Sequence, residues 1–283
     1  MNNREFIDDR LVTYIYNGNQ VRATYNDENK NENRHFVMWS GGTDSTCLLY
    51  ELLDTYGADN VYAVSYKYPW LLEDKWKTEQ KYREAFKAKM KLREERFSNF
   101  SHVEIETKIS HLQGDYINPS HGKQMGLPQA VGWLLSVPIY IPDNSYIYTG
   151  AIRIDDLTIM REEYYQMFTG IAKTLGKNII LREPYLYLSK EDIIEKLMLY
   201  ELYDETWTCE MPPEPGKLCG KCVPCLTHIN ALNALSNGYV YHKINDSVKI
   251  KAKKELEKIN NIIKENNRID CVDKESISIE DDD

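Results

Sequence analysis

Residues 35–50 read HFVMWSGGTDSTCLLY, and the change of periodicity inside them sets the fold. The apolar run His35–Trp39 predicts a buried strand, and the apolar spacing of Thr46–Leu53 predicts a helix directly behind it. Between them lies Ser40-Gly41-Gly42-Thr43-Asp44-Ser45. Two glycines at a strand-to-helix turn let the backbone approach a ligand closely with its N–H groups turned outward. The helix start adds unpaired N–H groups and the positive end of its dipole. Together they form an anion cradle, flanked by the Ser40 and Ser45 hydroxyls and by the Asp44 carboxylate, which is suited to hold Mg²⁺. The loop is too short for the Walker pattern and lacks its lysine. An ordinary serine- and glycine-rich turn is the plainer alternative and is disfavoured.

Outward from this stretch the chain keeps alternating. Val61–Tyr66, Val103–Ile109, Ser145–Thr149 and Asn178–Leu181 predict four more strands. Helices are expected at Leu72–Phe97, Gln129–Leu135, Glu163–Leu175 and Ser189–Tyr200, the last opened by the capping sequence SKED. On Leu72–Phe97, Tyr82, Phe86, Met90, Arg93 and Phe97 share a face, and the lysines and arginines read as a solvated side. Ser110–Lys123 is expected to be a loop able to cover a site. Alternation of this kind predicts an α/β fold, a parallel sheet with helices on both faces. Ligands then gather at the carboxyl ends of strands one, two and four, which makes Tyr66 and Gly150 candidates alongside the Ser/Gly loop.

The ends of the chain differ from this core. Val12–Tyr16 and Gln20–Tyr25 flank Asn17-Gly18-Asn19, a hairpin signal, and the polar run Asn26–Asn33 follows. Residues 1–33 are therefore expected to be an added hairpin: structural decoration on the plainer reading, a contact for a second copy or a partner protein on the other. Ser247–Glu265 predicts a helix whose stripe Val248, Ala252, Leu256, Ile259 and Ile263 is a packing face, and 266–283 an acidic tail without fixed structure. The core domain is expected over 34–200 and a cysteine-bearing helical region over 201–265.

Composition narrows the function classes. The 283 residues carry 35 basic and 44 acidic side chains, a net charge of −9, which argues against a broad nucleic-acid surface. No run approaches the ~20 apolar residues of a membrane helix. The N-terminus MNNREFIDDR has no apolar signal core, so a cytoplasmic protein is expected. In that compartment six cysteines favour metal binding or reactive thiols over disulfides. Four of them, Cys209, Cys219, Cys222 and Cys225, are spaced C-x9-C-x2-C-x2-C, with Gly220 at the tight turn of a metal knuckle. Four thiolates at that spacing suit structural tetrahedral Zn²⁺, with a [4Fe–4S] cluster as the rival. His228 is close enough in sequence to replace a ligand, but a core or surface histidine is the plainer reading. Cys47 reads as a small buried hydrophobe and Cys271 as incidental.

In this setting SGGTDS resembles the pyrophosphate (PP) loop of N-type ATP pyrophosphatases. With the late cysteine pattern, the span 35–235 resembles the 7-cyano-7-deazaguanine synthase (QueC) family. The residues that carry this are SGGTDS at 40–45, Thr149-Gly150 with acidic residues after it, LSKEDI at 188–193, and ETWTCE with CGKCVPC before a helix. The resemblance implies a Rossmann-like, adenine nucleotide alpha hydrolase-like domain and structural zinc on the four cysteines. It also implies adenylation by ATP of the carboxylate of 7-carboxy-7-deazaguanine, followed by attack of ammonia and, with a second ATP, formation of the nitrile. Asp44 would hold Mg²⁺ beside the departing pyrophosphate, and Asp155 or Asp156 would be the base. Lys190 would bind nucleotide or substrate, although a surface lysine at a helix start is the plainer reading. Gly150 and Arg161 would lie on the substrate side.

This chain also departs from the family. Its segment Leu157-Thr-Ile-Met-Arg161 stands where the family has GYPDCR, and Gly126-Leu-Pro-Gln129 where the family has Pro-x-Arg-Asn. The ATP side is kept and the acceptor side has changed. A diverged relative is expected, for which a protein amine competes with ammonia as acceptor, as in QueC-like proteins of anti-phage operons. A tRNA-thiolating enzyme and a nucleotide-sensing subunit are the more distant alternatives.

Overall fold

The computed structural model describes residues 11–16, 19–24, 34–67, 73–106, 116–117, 124–125, 129–153, 161–240 and 244–275. Strands β1 (Leu11–Tyr16) and β2 (Asn19–Thr24) form an antiparallel hairpin with Leu11 opposite Thr24. The core begins with β3 (Arg34–Met38), then α1 (Thr43–Tyr56), β4 (Val61–Lys67), α2 (Glu73–Lys91) and β5 (Ser101–Glu106). Two-residue strands β6 (Tyr116–Ile117) and β7 (Gln124–Met125) pair antiparallel within and just beyond the stretch expected to be loop. After α3 (Gln129–Tyr140) come β8 (Ser145–Tyr148), α4 (Arg161–Thr174), β9 (Ile179–Arg182) and α5 (Lys190–Leu199). Helices α6 (Val223–Asn237) and α7 (Asp246–Glu275) close the chain.

The five core strands form one parallel sheet in the order β5-β4-β3-β8-β9. Because side chains alternate across a strand, β3 serves both faces. Val37 and Trp39 enter a cluster with residues of α1, α5, α6 and α7, whereas Phe36 and Met38 pack with residues of α3 and α4. The fold is thus the expected α/β architecture, Rossmann-like, with the order reversing at β3. A crevice at such a reversal, outside the carboxyl ends of the strands, is where open sheets hold ligands.

Three expectations are corrected. Helix α2 stops at Lys91, and a single 3₁₀ turn (Glu95–Phe97) carries Phe97 into the core separately. Its charges are not all solvated: Arg83 and Glu79 are buried beneath the Ser/Gly loop. Helix α7 runs on through Glu275, so 266–275 is helical where a tail without fixed structure was expected. The expected packing stripe on α7 is observed, with Val248, Ala252 and Ile259 buried. No helix among the described residues is long and apolar enough to cross a membrane.

Candidate active site

The loop after β3 is a small hydrogen-bonded cage. The Ser40 and Ser45 hydroxyls lie 3.1 Å apart, Gly42 N–H donates to Ser40 Oγ at 3.1 Å, and Ser40 N–H donates to Ser45 Oγ at 3.3 Å. Gly42 is the N-cap of α1, and no side chain caps that first turn. A free helix start of this kind is an anion site. Gly41 holds φ +93°, and a Cβ there would stand 2.9 Å from the Glu79 carbonyl oxygen, so only glycine fits between loop and α2. Gly150, just past β8, presses on the same loop from the other side: a Cβ would lie 3.0 Å from Asp44 C and Ser45 N.

Lys190 is brought into this loop from across the fold. Ser189 caps α5 through a reciprocal pair with Asp192, which fixes the first turn. Lys190 Nζ then donates to both Asp44 oxygens, at 2.8 and 2.7 Å, and to Thr43 Oγ1 at 2.6 Å. The side chain is buried, which corrects the reading of Lys190 as a surface lysine. Asp44 remains partly exposed, so the pair sits at the mouth of the loop with its negative partner reachable from solvent.

The other expected site residues are placed as follows. Tyr66 is buried near the carboxyl end of β4. Arg161 opens α4 and donates to Glu183 at 2.6 Å. Burial pushes the Glu183 carboxyl up, against the pull of that guanidinium. Asp155 and Asp156 lie outside the described residues. Cys47 is fully buried in α1, and burial, with the Glu51 carboxylate near it, pushes its thiol up to about 12. It is inert packing, as expected.

Sequence reasoning missed the support beneath the loop. Arg83 Nη1 donates to the Ser40 carbonyl at 2.8 Å, Nη2 to Glu104 at 3.2 Å, and the guanidinium stacks over Trp76 at 4.3 Å. Lys75 stands between Glu79 (3.7 Å) and Glu210 (3.9 Å). Burial would lower the Lys75 pKa, but the Glu210 and Glu79 carboxylates prevail and hold it above its ordinary value. The i,i+4 spacing Lys75-Glu79-Arg83 is visible in the sequence, yet the same spacing marks countless solvated helices.

The four cysteines converge. Cys209, Cys219, Cys222 and Cys225 bring their sulfurs within 4.8 Å of one another, three of the four residues being buried. The Cys219 N–H points at Cys209 Sγ and the Cys222 N–H at Cys219 Sγ, each at 3.3 Å. Backbone donors aimed at sulfur stabilise thiolates, so the set could hold a metal ion. Gly220 takes φ +69° in the knuckle and lies directly under Ile263 of α7. His228 is buried beside the cluster, but Tyr203 Oη at 2.7 Å and Thr208 Oγ1 at 3.3 Å occupy its two nitrogens. It is a satisfied core histidine.

An open parallel sheet with a Ser/Gly anion loop at its reversal point and a four-cysteine knuckle after it defines a Rossmann-like α/β protein. Residues 142–236 match the family model described as "Queuosine biosynthesis protein QueC". Over 78 residues the chain is 33% identical to the 7-cyano-7-deazaguanine synthases of Rickettsia massiliae (strain Mtu5) and Rickettsia rickettsii (strain Sheila Smith). That match takes in 25% of this chain and spans about a third of the relatives' length, 34% of each. The U34-tRNA thiolase NcsA from Methanococcus maripaludis, with its [4Fe–4S] cluster, superposes with a TM-score of 0.40 at 15% identity, over 82% of this chain and 74% of that one. At that score the likeness adds nothing to the strand order already described. The chain is similar to that family from β8 to α6; the Ser/Gly loop precedes the matched stretch.

Proposed function

We propose that the chain is an ATP-dependent C–N ligase that adenylates the carboxylate of 7-carboxy-7-deazaguanine for attack by an amine. The observation that carries this is the Asp44–Lys190 pair, its lysine buried and its carboxylate reachable at the mouth of an uncapped anion loop. A carboxylate is a poor electrophile at neutral pH. Its oxygen attacks the α-phosphorus of ATP, the bond to pyrophosphate breaks, and the acyl adenylate gains a good leaving group. The loop N–H groups and Lys190 Nζ are preorganised to take up the charge that develops on the departing pyrophosphate. Asp44 would hold Mg²⁺, which would supply further charge neutralisation to the leaving group. The amine nitrogen then attacks the acyl carbon, AMP leaves, and a base takes the amine proton. Asp155 and Asp156 follow β8 closely enough in sequence for that role, and Gly150 and Arg161 flank the acceptor side. With ammonia, a second ATP activates the amide oxygen, which departs with AMP to leave the nitrile.

A protein amine in place of ammonia is the second reading. It rests on the changed residues 126–129 and 157–161, which the family resemblance assigns to the acceptor side, while SGGTDS and Lys190 are kept. The cysteines suit one structural Zn²⁺. Four sulfurs around an ion at about 2.3 Å are separated by about 3.8 Å, and the sulfur pairs at 3.9 and 4.0 Å fit that spacing. A four-iron cubane would spread them further. An ATP consumer with reduced cysteines fits a cytoplasmic setting.

The test is mass spectrometry of protein, Mg-ATP and 7-carboxy-7-deazaguanine, with and without ammonium. Ammonium-dependent nitrile is expected of a synthase, and AMP release or bound adenylate without nitrile is expected of a conjugating enzyme. No AMP under either condition rules out the substrate.

A further inference from the structure

We propose that the four-cysteine centre sets the shape of the nucleotide loop, with Trp207 as the positioning residue that couples them. The inference rests on the reading of residues 40–45 as an ATP site. Trp207 N–H donates to the Gly41 carbonyl at 3.0 Å, and Gly42 and Trp207 form a parallel β-bridge. The loop is thereby fixed through its main chain to residue 207. Two residues later in the chain comes Cys209, and the Trp207 indole N–H donates to the Cys209 carbonyl at 2.6 Å. The indole is buried and packs on Tyr82 of α2 with ring centroids 5.3 Å apart. One residue thus contacts the anion loop through its backbone and the first cysteine through its side chain.

The intervening segment has no regular structure of its own to hold this position. Residues 207–222 contain no helix or strand, so few backbone hydrogen bonds fix them. Their ties include Glu210 to Lys75 at 3.9 Å, Gly216 N–H to Thr78 Oγ1 at 3.1 Å, the packing of Leu218 against the core, and the cysteines at either end. An ion gripping Cys209 together with Cys219, Cys222 and Cys225 closes that segment into a loop and removes its freedom at the Trp207 end. The same segment lies on α2, whose Arg83 holds the Ser40 carbonyl and whose Glu79 carbonyl abuts Gly41. Metal grip and loop shape are therefore two ends of one packed path. Linkage makes the effect reciprocal: a nucleotide that favours the formed loop must tighten the metal by the same factor.

The experiment measures zinc loss from the full-length zinc-loaded protein to a colorimetric chelator, with and without Mg²⁺ and α,β-methylene-ATP, an analogue that binds without being split. A tightening within the usual range of coupling between sites, expressed in dissociation as most affinity changes are, is expected to slow zinc loss about 10-fold. In Trp207→Phe, which keeps an aromatic ring and deletes the pyrrole ring with its N–H, slowing should fall below about twofold while zinc content stays near wild type and the thermal midpoint falls only by the cost of the small cavity. A purely structural tryptophan would lower the midpoint and leave the nucleotide effect intact. Bound nucleotide that leaves wild-type zinc loss unchanged overturns the coupling, even if Trp207→Phe does not fold. Full slowing in Trp207→Phe overturns the role of Trp207. Failure of zinc-loaded wild type to bind the nucleotide overturns the ATP reading as well, which separates the two failures.

Discussion

Lys190 and Asp44 lie 146 residues apart in the chain and meet in one ion pair, with Thr43 Oγ1 accepting from the same ammonium. A lysine is buried in this way only where a carboxylate compensates its lost hydration. Lys190→Met should therefore cost about 1–2 kcal/mol of stability, below the figure for a fully buried pair because Asp44 is partly exposed. The larger effect should be on ATP affinity, lowered at least about 10-fold, or about 1.4 kcal/mol, in isothermal titration. Asp44→Ala strands the Lys190 ammonium, so it should lower the thermal midpoint while still folding, and it should release no AMP; a folded variant still forming AMP would refute the loop assignment. At Gly150 a methyl group would push on the backbone of Asp44 and Ser45, so Gly150→Ala should weaken ATP binding while removing no ligand atom. Candidates at this scale were legible where residue type betrays chemistry, as in SGGTDS and the four cysteines. The burial of Lys190 and Arg83 was not, because it depends on contacts between segments far apart in sequence.

Elements were legible where periodicity is strong and blurred where polar residues extend it. Helix α5 was readable from SKED because the capping box is a local device. The end of α7 was misjudged because Asn266–Glu275 is too polar to announce a packed helix, yet it simply continues the turns before it. Helix α1 starts at Thr43, three residues before its first expected residue, because Gly42 rather than a side chain caps it, and those three residues belong to the anion loop. The seat of α7 on the knuckle yields a prediction of its own. A Cβ on Gly220 would fall 2.6 Å from both Cδ1 and Cγ1 of Ile263, in a backbone conformation that costs a non-glycine residue roughly 1–2 kcal/mol. Gly220→Ala should lower the thermal midpoint and speed zinc loss, since both strain and clash fall on the knuckle. Adding Ile263→Ala should restore the part due to the clash and leave the part due to φ. A double variant no better than Gly220→Ala would mean that α7 does not seat on the knuckle.

Across the whole molecule, the parallel sheet followed from apolar runs alternating with helical segments, whereas the layer beneath the loop came into view only in three dimensions. That layer includes His102 on β5, whose Nε2 lies 2.9 Å from Ser65 Oγ while Ser65 donates to the Trp39 carbonyl, one residue before the loop. Burial, reinforced by the positive charges of Lys87 and Arg83, lowers the His102 pKa to about 3 from an ordinary 6.5. The unfolded chain then binds a proton between those two values that the folded protein refuses, so stability rises with pH across that window. The contribution is complete above pH 6.5 and is lost progressively as the pH falls toward 3. Between pH 7 and pH 5 this one group should remove about 2 kcal/mol. The comparison that isolates it is urea unfolding of wild type and His102→Gln at the two pH values, because thiolate protonation at the cysteine centre acts equally on both. Wild type should lose about 2 kcal/mol more than the variant on acidification. Equal losses would mean that His102 is charged in the folded protein. The Ser65 hydroxyl would then have to accept from the imidazolium, the layer under Trp39 and Ser40 would carry a positive charge, and the anion loop above it would bind nucleotide more tightly at pH 5 than at pH 7.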